Sequence, residues 1–73
     1  MNILKSKSEY NERCRRLASQ IMALTRDNGY RLTLGEIILN ADRESMSMPI
    51  TSEQVLGIWL DRAKAGKPMS WMV

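Results

Sequence analysis

The sequence predicts an all-α fold: a small three-helix domain with a short N-terminal arm and an apolar C-terminal tail. Three observations predict it. Apolar residues recur at helical spacing through the first third of the chain. Thr33 with Glu36, and Thr51 with Gln54, each match the capping-box pattern that opens a helix. The one stretch with strand-like alternation, Tyr30-Arg31-Leu32, has no second strand to pair with.

Residues 1–8 read as a loose arm carrying Lys5 and Lys7. The first helix is expected over about 9–27, because Tyr10, Cys14, Leu17, Ile21 and Leu24 are spaced four, three, four and three apart. Glu9 and Glu12 are placed in its first turn and Arg26 in its last, as the helix dipole favours. Asn28-Gly29 ends it, with Gly29 as the left-handed residue. Tyr30 and Leu32 are expected to tuck inward while Arg31 points out.

The second helix is expected over about 34–45, with Leu34, Ile37, Ile38 and Ala41 facing inward. Pro49 makes residues 46–50 a poor continuation of it. The third helix is expected over about 52–65, closed by Gly66 and then Pro68. It buries Val55, Leu56, Trp59, Leu60 and Ala63, and Trp59 organises the core between the first two helices. Residues 67–73 form the tail.

Composition narrows the function. The chain has 73 residues, one cysteine and no histidine. A chain this short is marginal without a metal, a disulfide or a partner. One cysteine forms no internal disulfide, and without histidine there is no Cys/His zinc set and no Ser–His or Cys–His nucleophile. Neither a Gly-x4-Gly-Lys loop nor a Gly-x-Gly-x-x-Gly loop is present. No enzyme activity, cofactor or metal is therefore expected. No apolar run approaches a membrane span and the N-terminus lacks a signal-peptide core, so the expectation is a cytoplasmic protein away from membranes. The compact basic style of the chain suggests a bacterial or phage source.

Two features are candidates for binding. The first is an apolar surplus. After a three-helix core is filled, Leu39, Met46, Met48, Ile50, Ile58, Met69, Trp71, Met72 and Val73 remain. Contiguous exposed apolar surface marks partner sites, and Met and Trp are enriched there. Leu39, Met46, Met48, Ile50, Ile58, Met69, Trp71 and Met72 are the expected protein-binding residues; the competing outcome is that Trp71 and Met69 fold back to cap the core, and a residual patch is expected even where some of that happens. That patch points to a regulator, adaptor or inhibitor that binds a protein, or to a homodimer. The second feature is the basic cluster Lys5, Lys7, Arg13, Arg15 and Arg16, set in a net charge of +3. It offers contact to nucleic acid or an acidic partner, and supports the alternative of a nucleic-acid-binding transcriptional regulator. Against that stand the intrahelical pairs open to it, Glu9–Arg13 and Glu12–Arg16. Cys14, flanked by arginines, is read as a small buried hydrophobe on the apolar stripe.

The order Tyr10, Arg13, Arg15-Arg16, then Tyr30-x-Leu32-Thr33, then Pro68-x-Ser70-Trp71 resembles the small enterobacterial haemolysin-expression-modulating proteins. Those are helical partners of nucleoid proteins. The matching positions are scattered, the tyrosine spacing differs and the middle of the chain departs from the pattern. No residue role is carried over; the resemblance implies only a regulator that acts by binding another protein.

Overall fold

A computed structural model describes residues 3–67, Met69 and Trp71, with side chains from Lys7 onward. Three helices, α1 (Ile3–Asp27), α2 (Leu34–Ser47) and α3 (Ser52–Lys64), pack pairwise around one core, and no strand occurs among the described residues.

Helix α1 starts six residues before the expected 9 and absorbs most of the arm. Leu4, Lys5 and Lys7 are good helix formers and no Gly or Pro interrupts them, so nothing stops the helix from running back. Glu9 and Glu12 are consequently mid-helix, and the first turn holds no acid; Arg26 does occupy the last turn. The buried line along α1 is Cys14, Ala18, Ile21 and Thr25, while Tyr10, Leu17 and Leu24 are only partly covered. The inward face is thus turned towards Ala18, whose small side chain lets neighbouring helices approach. Thr25 is buried at no hydrogen-bond cost, because its hydroxyl donates to the Met22 carbonyl at 3.1 Å.

Gly29 ends α1 with φ of +91°. Its N–H donates to the Arg26 carbonyl, and the Tyr30 N–H to the Thr25 carbonyl, both at 3.0 Å. That pair of bonds is a Schellman close, which needs a residue free to adopt positive φ. The close sends Leu32 inward but leaves Tyr30 37% exposed, contrary to the expectation that both tuck in. Both capping boxes form. The Glu36 N–H donates to Thr33 Oγ1, and the Gln54 N–H to Thr51 Oγ1, each at 3.1 Å. Between the helices, the Ile50 N–H reaches the Met48 carbonyl around Pro49 and turns the chain. Helix α2 continues to Ser47, two residues beyond the expected end, because Pro49 rather than Ser45 is the first residue that cannot extend it.

The core is Cys14, Ala18, Ile21, Ile37, Ala41, Val55, Leu56, Trp59, Leu60 and Met69. A second Schellman close at Gly66, φ +74°, redirects the chain after α3. Met69 then returns to the core at 2% exposure. Trp71 lies against Trp59, ring centroids 5.4 Å apart and tilted by 50°. Three members assigned to the surplus are therefore core or core-lining: Met69, Trp71 and Ile50, the last packing partly buried against the cluster. Met72 and Val73 lie outside the described residues.

Trp59→Ala should cost about 3–5 kcal/mol and Met69→Ala about 2–5 kcal/mol, measured by chemical denaturation. Met46→Ala, on the surface, should stay within about 0.5 kcal/mol of the parent. Equal losses at Met46 and Met69 would contradict this division.

Candidate functional site

What remains outside the core is Leu39, Met46, Met48 and Ile58. Helix geometry separates them into two groups. Leu39 and Met46 stand two turns apart on the side of α2 away from Ile37 and Ala41. Both are exposed, Met46 to 83%. Met48 and Ile58 instead flank a groove of 250 Å³ between the end of α2 and α3, with Val55 and Trp59 in its lining and Glu44 and Arg62 as its charged residues. Met48 is 40% exposed and Ile58 about half exposed. The groove exists because Ile58 lies on the flank of α3, about 60° around the helix from Val55 and about 100° from Trp59, and no element of the described chain covers it. Of the eight protein-binding residues expected, the structure keeps four on the surface, places Met69 in the core, packs Ile50 and Trp71 partly buried against it, and does not describe Met72.

A polar clamp sets the position of α3 beside this groove. The Glu53 backbone N–H donates to the Tyr10 hydroxyl at 3.2 Å, which satisfies one of the free donors at the start of α3. Arg13 Nε donates to the Glu53 carboxylate at 3.1 Å, and its guanidinium carbon stands 5.8 Å from the centre of the Tyr10 ring. On the other side, the Ser52 hydroxyl donates to Asp42 of α2 at 2.6 Å. Helix α3 is thereby tied at its first turn to both other helices.

The same contacts change the basic cluster. Arg13 is taken by Glu53, forty residues away, rather than by Glu9, and Arg16 lies 3.9 Å from Glu12. A shallow hollow there is lined by Glu9, Glu12, Arg13 and Arg16, with Ser8. Acids and bases match, two against two. Arg15 is exposed on another side of α1, about 100° from Cys14, and Lys7 is exposed a turn or more earlier. The side chain of Lys5 lies outside the described residues. The cluster does not form one positive stripe.

Cys14 is buried. Burial pushes its thiol above the ordinary value of 9.0; a hydrogen bond with the Tyr10 side chain works the other way, Glu53 and Asp42 add to the rise, and Arg13 opposes it. Such a thiol is a poor nucleophile at neutral pH. Among the described residues no group of His, Cys, Asp and Glu is arranged to hold a metal, and no helix is long and apolar enough to cross a membrane.

One constellation becomes visible only in the folded chain. A wider hollow, 540 Å³, opens at the α1–α2 turn and is lined by Arg26, Gly29, Tyr30, Arg31, Leu32 and Thr33. The readable signal was Tyr30 between two arginines, five positions apart across a Gly turn. Comparison with protein-family models, with characterised proteins and with solved structures finds no match to this chain.

Tyr10→Phe removes the acceptor for the Glu53 N–H and should destabilise by about 0.5–1.5 kcal/mol in denaturant titrations, with the fold retained. For Cys14 the folded state holds its proton more tightly than the unfolded chain. Its contribution to stability is therefore full below 9.0 and is lost as pH rises through the raised folded value. Folded protein should react slowly with iodoacetamide at neutral pH and rapidly once denatured. A thiol that reacts equally fast in both states would contradict its burial.

Proposed function

We propose that the protein is a small non-enzymatic regulator, adaptor or inhibitor that works in the cytoplasm by binding another protein, or a second copy of itself, through the apolar surface of α2 and α3. One observation carries the reading: Met48 and Ile58 stand exposed at a concave groove that is lined by the core residues Val55 and Trp59. Isolated surface hydrophobes are ordinary; apolar side chains gathered at a concavity are the form that partner anchors enter. Leu39 and Met46 extend the apolar surface on the outer side of α2. The charged residues at the groove, Glu44 and Arg62, supply the polar rim that interfaces carry. Nucleic-acid binding by the N-terminal cluster is less favoured, because Arg13 and Arg16 each stand beside a glutamate and offer less net charge to a phosphate.

The test joins sedimentation velocity over a wide concentration range to affinity capture from cell extract, using the parent chain and Ile58→Glu. Ile58 is a surface position, so the variant should keep its stability within about 0.5 kcal/mol. It should lose whatever association the parent shows, with itself or with a captured protein. Association that survives Ile58→Glu and Met48→Glu unchanged would contradict the reading. If Ile58→Glu unfolds the chain, Ile58 belongs to the core.

A further inference from the structure

We propose that the hollow at the α1–α2 turn is a second binding site, and that it takes a nucleotide unit. The phosphate would lie on Arg26 and Arg31, and the base on the ring of Tyr30. Two guanidiniums line this hollow and no carboxylate does, whereas the hollow beside Arg13 and Arg16 carries two of each. Among the described residues neither Arg26 nor Arg31 has an ion pair, and both are exposed. A guanidinium presents a planar fork of donors that matches a phosphate, and paired forks hold one more tightly than scattered lysines do.

Two acids stand near in sequence. Asp27 is turned about 100° around α1 from Arg26 and does not line the hollow. Glu36 does not line it either, and its Oε1 is engaged by Thr33 through both the backbone N–H, at 3.2 Å, and the hydroxyl, at 3.0 Å. The lining itself is therefore positive, with one carboxylate held just beyond Thr33.

The aromatic decides the ligand class. Gly29, at φ +91°, turns the chain so that Tyr30 is left 37% exposed between the two arginines, while Leu32 goes inward. The carboxylates of an acidic peptide would meet the arginines but make no use of the ring face. A nucleotide does, since every base offers a face for stacking, and an exposed aromatic beside cations is how single strands are held without sequence preference. A stacked duplex hides those faces, so a free nucleotide or a unit of single strand fits and a duplex does not. The site is also independent of the α2–α3 groove. They lie at opposite ends of α2, about 20 Å apart along its axis, so both can be filled at once.

The experiment is fluorescence anisotropy with a labelled single-stranded DNA, the same length of duplex, and a mononucleotide as competitor, at about 50 mM salt. The single strand is expected to bind more tightly than the duplex. Competition by the mononucleotide identifies a free nucleotide as sufficient; its failure, with single strand still bound, assigns the site to polymer. Tyr30→Leu should weaken single-strand binding roughly fivefold and Tyr30→Phe should restore it. Arg26→Ala and Arg31→Ala should each lower the salt slope by about 0.7. Arg13→Ala with Arg16→Ala should change neither. The proposal is overturned by absence of binding at this salt, by equal affinity for duplex, by equal loss in the Arg13/Arg16 variant, or by a polyglutamate peptide that competes as well as the single strand. Circular dichroism melts of each variant ensure that a loss is read from a folded chain.

Discussion

The apolar face of α3 holds this molecule together. Val55, Leu56, Trp59, Leu60 and Ala63 are all buried on it, and both other helices and the returning tail pack there. Burial of this kind is the main favourable term in folding, and a chain of 73 residues has little of it to spare. That explains why the tail comes back. Without Met69 and Trp71 one side of Trp59 would face water, and a large aromatic left half-bare is expensive in so small a core. The tail thus does for this fold part of what a metal or a disulfide does in other short chains.

Apolar packing sets how the helices meet, and polar contacts add direction at the start of α3. Tyr10, Arg13 and Glu53 tie its first turn to α1, and Ser52 with Asp42 ties it to α2. The Arg13–Glu53 pair is largely solvated and contributes at most about 1 kcal/mol. Its larger consequence is geometric. The start of α3 is fixed by these contacts, and Ile58 lies on its flank beside Met48 at the groove. The same pairing withdraws Arg13 from the N-terminal cluster, so a single contact both orients α3 and reduces the net positive charge of that cluster.

Much of this was readable in the sequence because it is local. Caps at Thr33 and Thr51 and closes at Gly29 and Gly66 each depend on residues within a few positions, and all four form where their patterns stand. The inward face of α3 was equally plain from its spacing. The start of α1 was not, since no capping residue marks it and good helix formers run on to Ile3. Nor was the division of the surplus. Whether Met69 is core or surface depends on the direction the chain takes after Gly66, which is a tertiary matter. Sequence offers Arg13 only the local partner Glu9; its partner in the fold is Glu53, forty residues on. The hollow around Tyr30 escaped for a related reason, as its lining comes from both sides of a turn and only the folded chain brings it into one concavity.

Everything turns on one partition: Met69 belongs to the core with Trp71 packed on it, while Met46 and Met48 belong to the surface. The methionine methyl groups report it directly. In an NMR spectrum of methyl-labelled protein, a soluble paramagnetic agent broadens each methyl according to its exposure. Met46 should be broadened most, Met48 less, and Met69 hardly at all, following exposures of 83%, 40% and 2%. A Met69 signal that broadens as strongly as that of Met46 would mean that the tail does not return, that Trp59 is uncovered on that side, and that the surface available to a partner is not the one described.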